Sequence, residues 1–158
     1  MNLVYNERKL KTKGKDMHRM RIMGVDYGDA RTGIAISDLL CSIVGTTTVI
    51  HSRNREKTLA AIDELVKKND VGQIVMGLPK NMDGTEGIQA TKAREFAAAL
   101  GEMTGLEVVM WDERLTSVTA NQLLTQTGVK GQKRKQHVDK IAAVIILQNY
   151  LDAKGFGL

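Results

Sequence analysis

The sequence predicts an α/β protein built on one mixed β-sheet, with a three-stranded meander, two parallel strands and helices on both faces. Two observations support this fold class. Up to residue 50, short apolar or β-branched runs follow one another with only turn-rich segments between them. Beyond residue 54, helical and strand patterns alternate, as in βαβ units that place their strands in parallel.

The first half of the predicted sheet comes from three short segments. Residues 21–26 (RIMGVD) form an apolar run with a glycine and are followed by a turn-rich stretch at 27–31. Residues 32–37 (TGIAIS) form the second run, so the pair indicates a hairpin. Residues 46–50 (TTTVI) are β-branched throughout, which favours a third strand.

The alternating half begins with a helix after an Asn54 cap, indicated by apolar residues at helical spacing (Leu59, Ile62, Leu65 and Val66). Residues 73–78 (QIVMGL) then predict a buried strand, which ends at Pro79. Residues 86–103 predict a second helix, and residues 107–111 (EVVMW) predict the last strand.

The end of the chain predicts two further helices separated by a basic loop. Thr116 is placed to cap a helix that runs through Leu124. Residues 127–136 are rich in glycine and lysine and predict a loop. Residues 138–151 are apolar on most sides, which predicts a buried final helix.

The 158 residues suffice for one domain with its own core, and their charge is unevenly placed. Residues 1–19 hold six basic and two acidic residues without apolar periodicity, so we predict a disordered basic leader there and a single domain over 20–158. A second basic group occurs near the last helix (Lys130, Lys133, Arg134 and Lys135). Such patches suit a polyanionic partner, although a solvated surface explains the charges alone equally well.

Cysteine content and hydropathy point to the cytoplasm. Cys41 is the single cysteine and has no internal disulfide partner, which fits a reducing compartment. The longest apolar run, 141–147, is far shorter than the roughly 20 residues of a membrane span. The N-terminus lacks the apolar region of a secretory signal. We therefore expect a cytoplasmic protein without a membrane partner.

The candidate chemistry comes from carboxylates. The three histidines do not cluster with Cys41 at zinc-ligand spacing, and the sequence has neither a nucleophile elbow nor a Walker loop. Asp26 ends an apolar strand, Asp112 and Glu113 directly follow another, and Asp139 opens the last helix. Each has a plain structural explanation, such as a turn hydrogen bond, a surface acid or a helix-dipole partner.

Together these acids could meet at one edge of the sheet and bind hard cations. Phosphodiester hydrolysis uses divalent ions about 3.5–4 Å apart, and Mg²⁺ prefers carboxylate oxygens. The residues alone do not decide between Asp112 and Glu113, because side chains alternate along a strand and one of the two faces inward.

From about residue 20 to residue 151 the chain resembles the YqgF family, which has an RNase-H-like fold and is related to Holliday-junction resolvases. Four stretches carry the resemblance in the family's order: RIMGVDYGDARTGIAISD, VMGLPKNMDG, WDERLTS and HVDKIAAVIILQNYL. The resemblance implies a nuclease that binds Mg²⁺ or Mn²⁺ through Asp26, Glu113 and Asp139, and it selects Glu113 over Asp112.

The same resemblance indicates nucleic-acid contacts. Lys80 in GLPKN and Arg114 in DER are similar to phosphate-binding positions, where a positive charge also stabilises the transition state. Arg31 on the hairpin turn is a further candidate. Apart from the resemblance, the basic loop before Asp139 is a candidate because of its charge and its position (Lys130, Lys133, Arg134 and Lys135).

The function predicted by this resemblance is metal-dependent processing of the 5′ end of pre-16S rRNA. A Holliday-junction resolvase for DNA recombination and a non-catalytic nucleic-acid-binding module are the alternatives. A phosphotransfer protein is a third, because GVDYGDARTG resembles the phosphate hairpin of the actin and sugar-kinase superfamily, whose members need two such domains. Aromatic residues make up 4%, which favours structured RNA or branched DNA over stacked single strands. A monomer and a homodimer remain equally open.

Overall fold

The computed structural model describes residues 20–113 and 132–154, with the backbone alone for 132–138. The described residues form five strands and three helices, which are β1 (Arg21–Asp26), β2 (Arg31–Ser37), β3 (Val44–His51), α1 (Arg55–Lys68), β4 (Val71–Leu78), α2 (Ile88–Thr104), β5 (Val108–Asp112) and α3 (Gln132–Ala153). The predicted bounds of the five strands and of α2 lie within two residues of those observed.

The strands form one mixed sheet in the order β3-β2-β1-β4-β5. β1, β2 and β3 pair antiparallel, whereas β4 lies parallel to both β1 and β5. The predicted meander with two parallel strands is therefore confirmed. Because β1, β3, β4 and β5 all run the same way, their C-terminal ends share one side of the sheet, which we call the carboxyl edge.

Alternation along the strands divides the core between the two faces of the sheet. On β1, Met23 and Val25 pack with α1 and α2 around Phe96, while Ile22 packs with α3 around Leu147. Burying a side chain of this size contributes about 1.5–3 kcal/mol to the stability of the fold. Each face of the sheet therefore holds its helices through its own set of buried side chains. Helices on both faces are thus confirmed.

Helix α1 begins where the sequence placed its cap. Asn54 has an extended backbone, and its Oδ1 accepts a hydrogen bond from the Lys57 amide at 3.0 Å. This bond satisfies one of the amides that the first turn of a helix leaves unpaired. The apolar residues that predicted the helix, including Leu59 and Ile62, are buried beneath it.

The start of α3 corrects one prediction. Residues 132–136 were assigned to a loop, but α3 begins at Gln132 rather than at residue 138. The apolar pattern did not reveal this extension, because QKRKQ contains no apolar residue, although Lys, Arg and Gln are good helix formers. Lys133, Arg134 and Lys135 therefore lie on helical backbone. The leader 1–19, the helix predicted at 116–124, and the residues Arg114 and Lys130 lie outside the described residues.

Among the helices that the structure describes, none has both the length and the apolar character needed to cross a bilayer.

Candidate active site

Three carboxyl groups gather at the carboxyl edge on the face that α3 covers. Asp26 is the last residue of β1, Glu113 follows β5 directly, and Asp139 lies in α3. The Asp26 and Glu113 carboxyl groups are hydrogen-bonded to one another, and Asp139 is close enough to repel Asp26 electrostatically. The structure thus brings together the three acids singled out from the sequence.

Strand alternation places Glu113, rather than Asp112, in this cluster. Val109 and Trp111 on β5 face α3, and Glu113 continues that alternation. Its backbone amide still donates to Leu78 O at 3.3 Å, so the residue remains attached to β4. Asp112 is exposed. It affects the cluster through its negative charge, which raises the pKa of Glu113.

Three glycines beneath α3, which we call the glycine bed, allow the helix to lie close to the sheet (Gly24, Gly33 and Gly77). A Cβ at Gly33 would overlap the backbone carbonyl oxygen of Asp139. A Cβ at Gly77 would overlap Glu113 Oε2 and lie 2.6 Å from Ile146 Cδ1. Two of the three carboxyl groups therefore reach the cluster only because a neighbouring strand lacks a side chain there. The sequence signal for each of these three positions is a glycine within an apolar strand.

Gly77→Ala should displace Glu113 and overpack α3, with a loss of about 1–3 kcal/mol of stability and a larger loss of activity. Gly45→Ala on β3 is the matched control, because a Cβ there meets no atom closer than 3.6 Å. Melting temperature and nucleic-acid cleavage would be measured for both variants. Wild-type cleavage by Gly77→Ala would show that Glu113 does not need this space.

Burial and mutual repulsion oppose the simultaneous ionisation of the three carboxyl groups. Burial, followed by the charges of Glu113 and Asp139, holds the pKa of Asp26 well above its usual range. Burial also raises the pKa of Glu113, although the hydrogen bond from Asp26 opposes that shift. For Asp139, burial raises the pKa against the lowering effect of Arg31 and His51. Excess negative charge at this position favours a proton or a cation.

Asp26→Asn should stabilise the metal-free protein, and the gain should grow from acid to neutral pH. Because the pKa of Asp26 is raised by folding, the free energy of unfolding of the wild type falls as pH rises from the unfolded pKa of about 3.9 through the folded value. Each unit of that elevation costs about 1.4 kcal/mol, and the Asn variant avoids this cost. Thermal unfolding in EDTA between about pH 4 and about pH 8 measures the difference. An advantage that shrinks as pH rises would contradict the assigned environment.

Arg31 forms an ion pair within the carboxylate cluster, a role that its position in the sequence did not predict. Its Nε donates to Asp139 Oδ2 at 2.7 Å, so this candidate phosphate contact is paired with a carboxylate of the cluster. Strand register places Arg31 opposite His51 on β3, and both residues lower the pKa of Asp139. Lys80 lies two residues beyond β4 at the carboxyl edge and interacts electrostatically with Glu86.

The donor set fits a hard divalent cation. The three carboxyl groups are neighbours, but neither they nor any other three Asp, Glu, His or Cys side chains in the described part of the chain have the arrangement of a metal site. The Asp139 carboxylate is paired with Arg31, while Asp26 and Glu113 bond to each other. Oxygen ligands of this kind are those that Mg²⁺ prefers, and a cation would relieve the repulsion that raises the pKa of Asp26.

A family model and two curated relatives match most of this chain. A family model described as RuvX, Holliday junction resolvase, matches residues 20–153. A relative from Acetivibrio thermocellus is 47% identical over 138 residues, covering 86% of this chain and 98% of the relative. One from Agathobacter rectalis is 44% identical over 136 residues, covering 84% of this chain and 95% of the relative. Both are named for pre-16S rRNA nuclease activity.

Solved structures support the same fold at low sequence identity. Thermus thermophilus RuvC, in complex with a Holliday junction substrate, superposes with a TM-score of 0.57 at 13% identity, over 86% of this chain and 96% of RuvC. The yeast mitochondrial Holliday junction resolvase gives 0.57 at 10% identity, over 96% of this chain and 85% of its own. These likenesses establish an RNase-H-like fold. With the family model spanning all the described strands and helices, the chain belongs to the RuvX family of Holliday junction resolvases.

Proposed function

We propose that this chain is a divalent-metal-dependent nuclease whose hydrolytic site consists of Asp26, Glu113 and Asp139. The observation that carries the proposal is the meeting of these three carboxyl groups at the carboxyl edge, with raised pKa values and an adjacent guanidinium. A protein that only binds nucleic acid gains nothing from carboxylates that face phosphates, because their charge repels the ligand.

The carboxylates, Arg31 and the glycine bed would each have a separate role in hydrolysis. Asp26, Glu113 and Asp139 would hold Mg²⁺ or Mn²⁺, which when bound supplies Lewis-acid stabilisation of the phosphoryl oxygens and an acidified water. Arg31 offsets the charge of Asp139 and fixes its orientation through the 2.7 Å ion pair. The glycine bed sets the position of Glu113 and Asp139 relative to Asp26.

The substrate we assign is pre-16S rRNA, which the enzyme would process at its 5′ end in the cytoplasm. Support comes from relatives that are 44–47% identical over at least 84% of this chain and carry the name of that activity. Lys80 and the helical Lys133, Arg134 and Lys135 would contact phosphates of the RNA, together with Arg114 and Lys130 outside the described residues.

The second candidate function is cleavage of four-way DNA junctions. The family description names Holliday junction resolvases, and RuvC shares the fold with a junction bound. The same carboxylates would serve either substrate, because both reactions hydrolyse a phosphodiester bond.

A cleavage panel in Mn²⁺ separates these candidates. It would compare a pre-16S rRNA leader, a four-way DNA junction, a linear DNA duplex and a single-stranded RNA, with Asp26→Asn purified identically as the control for contaminating nucleases. We expect the leader to be cut fastest by the wild type. Cleavage of the junction alone would favour the second candidate. Binding without cleavage of any substrate would leave a non-catalytic module.

A further inference from the structure

Three exposed cations stand at the junction between β3 and α1, which we define as residues 51–57 (HSRNREK). Arg53, Arg55 and Lys57 are all exposed, and Glu56 is the single acidic residue among them. Near this edge, Arg31, Lys92 and Arg94 each form an ion pair with a carboxylate. Within the described residues, none of the three junction cations forms one. From the sequence, this segment is predicted only to cap a helix, through Asn54.

The junction adjoins the carboxylate cluster. β3 ends at the carboxyl edge, where His51 lies opposite Arg31 in the strand register. The Ser52 amide donates to Ala30 O at 3.1 Å, which ties the junction to the hairpin turn that follows Asp26. Arg31 in turn pairs with Asp139 at 2.7 Å, so the junction is linked to a carboxylate of the cluster through one residue of β2. A nucleic-acid backbone at the cluster therefore has this junction directly beside it.

Local hydrogen bonds hold the junction in one shape. The Asn54 amide donates to Ser52 Oγ at 3.1 Å, and the Lys57 amide donates to Asn54 Oδ1 at 3.0 Å. These bonds fix the backbone on both sides of Arg53. Cations in the first turn of α1 also oppose the helix dipole, so their placement is unfavourable for the helix and calls for another explanation.

On the α2 side of the site, two cations are paired with carboxylates. Lys92 Nζ lies 3.3 Å from Asp29 Oδ2, and Arg94 Nε lies 2.6 Å from Glu86 Oε1. Both pairs occur on the α2 side of the carboxyl edge. Of the described residues on these two flanks, those on the α1 side therefore carry the excess of positive charge, and a polyanion is attracted toward that side.

We propose that the phosphodiester backbone of the nucleic acid leaves the carboxylate cluster across the β3–α1 junction, where Arg53, Arg55 and Lys57 contact phosphates flanking the cleaved bond. This inference rests on the proposed function, because it states across which side of the nuclease site the substrate backbone runs. The contacts involve phosphates, so they should hold RNA and DNA duplexes without regard to base sequence.

The test compares two triple-alanine variants of the full chain with equal changes in net charge. One replaces Arg53, Arg55 and Lys57. The control replaces Lys67, Lys68 and Lys154, which are exposed at the opposite edge of the sheet. Binding to an RNA duplex and a DNA duplex of the same sequence would be measured by anisotropy at several salt concentrations, with Ca²⁺ present so that binding is read with little cleavage.

The junction variant should flatten the slope of log K against log salt by up to about 2–3 units on DNA, because each lost phosphate contact removes about 0.9. Between about 50 and about 200 mM salt, its loss of affinity should be up to about 40-fold smaller than that of the wild type. A charge-keeping Arg53→Lys/Arg55→Lys variant should retain most of the slope. The control triple should keep the wild-type slope, and the melting temperature of the junction variant should not fall.

A wild-type slope in the junction variant would overturn the proposal. So would equal flattening by the control triple, which would reveal an effect of net charge, or a lower melting temperature, which would reveal a structural role. Failure of the nuclease proposal looks different, because the cleavage panel would then show no products while the junction variant still bound more weakly than the wild type.

Discussion

Asp26→Asn, Glu113→Gln and Asp139→Asn should each lower the rate of cleavage by on the order of 10³-fold, since a metal-bound site supplies several kcal/mol of transition-state stabilisation. Each substitution replaces a carboxyl group by an amide, which cannot serve as an anionic ligand, while keeping the shape of the side chain. Rates at saturating Mn²⁺ and substrate measure the effect, and circular dichroism checks that the fold is intact.

Asp112→Asn is the matched control for this series. It removes a carboxylate one residue from Glu113, on the exposed side of β5, and cleavage should stay within a few-fold of the wild type. A double Asp26→Asn/Glu113→Gln variant should be little worse than either single variant, because the ligands act as one unit. A dead Asp112→Asn with an active Glu113→Gln would reverse the choice between these neighbours.

Removing divalent ions should abolish cleavage completely. EDTA strips a site made of carboxylate oxygens, and Mg²⁺ or Mn²⁺ should restore full activity because both favour oxygen ligands. Ca²⁺ should bind but support little turnover, since its coordination is larger and less regular. Single-turnover cleavage with each ion measures the effect.

Two outcomes would contradict this metal requirement. Full activity in EDTA would mean that the carboxylates act as proton-transfer groups. Rescue by Zn²⁺ alone would point to nitrogen or sulfur ligands, whereas Asp26, Glu113 and Asp139 offer only oxygen.

The fold was largely predictable because each segment carries its own period. The β-branched run at 46–50 and the helical spacing from Leu59 to Val66 each specify one element, and short connections fix which neighbours pair. The start of α3 was not predictable by this route. Its first turn contains only polar residues, so apolar periodicity gives no signal for a helix there. Only the helix propensity of these residues favours it.

The site was predictable as a set of acids but not as an arrangement. Residues alone left Asp112 and Glu113 equal, and only the family resemblance selected Glu113. In the structure Trp111 faces α3, and Glu113, two residues further on, lies on the same face. The contribution of Gly33 depends on a helix about 100 residues further along the chain. The Arg31–Asp139 pair likewise joins residues separated by 108 positions, and no local pattern signals such a contact.

Calorimetric titration of Mn²⁺ into the full chain, wild type against Asp26→Asn, tests most directly whether Asp26, Glu113 and Asp139 form one cation site. We expect saturable binding to the wild type at neutral pH and its loss or strong weakening in Asp26→Asn, with Asp112→Asn binding as the wild type does. Equal Mn²⁺ binding by the wild type and Asp26→Asn would contradict this expectation.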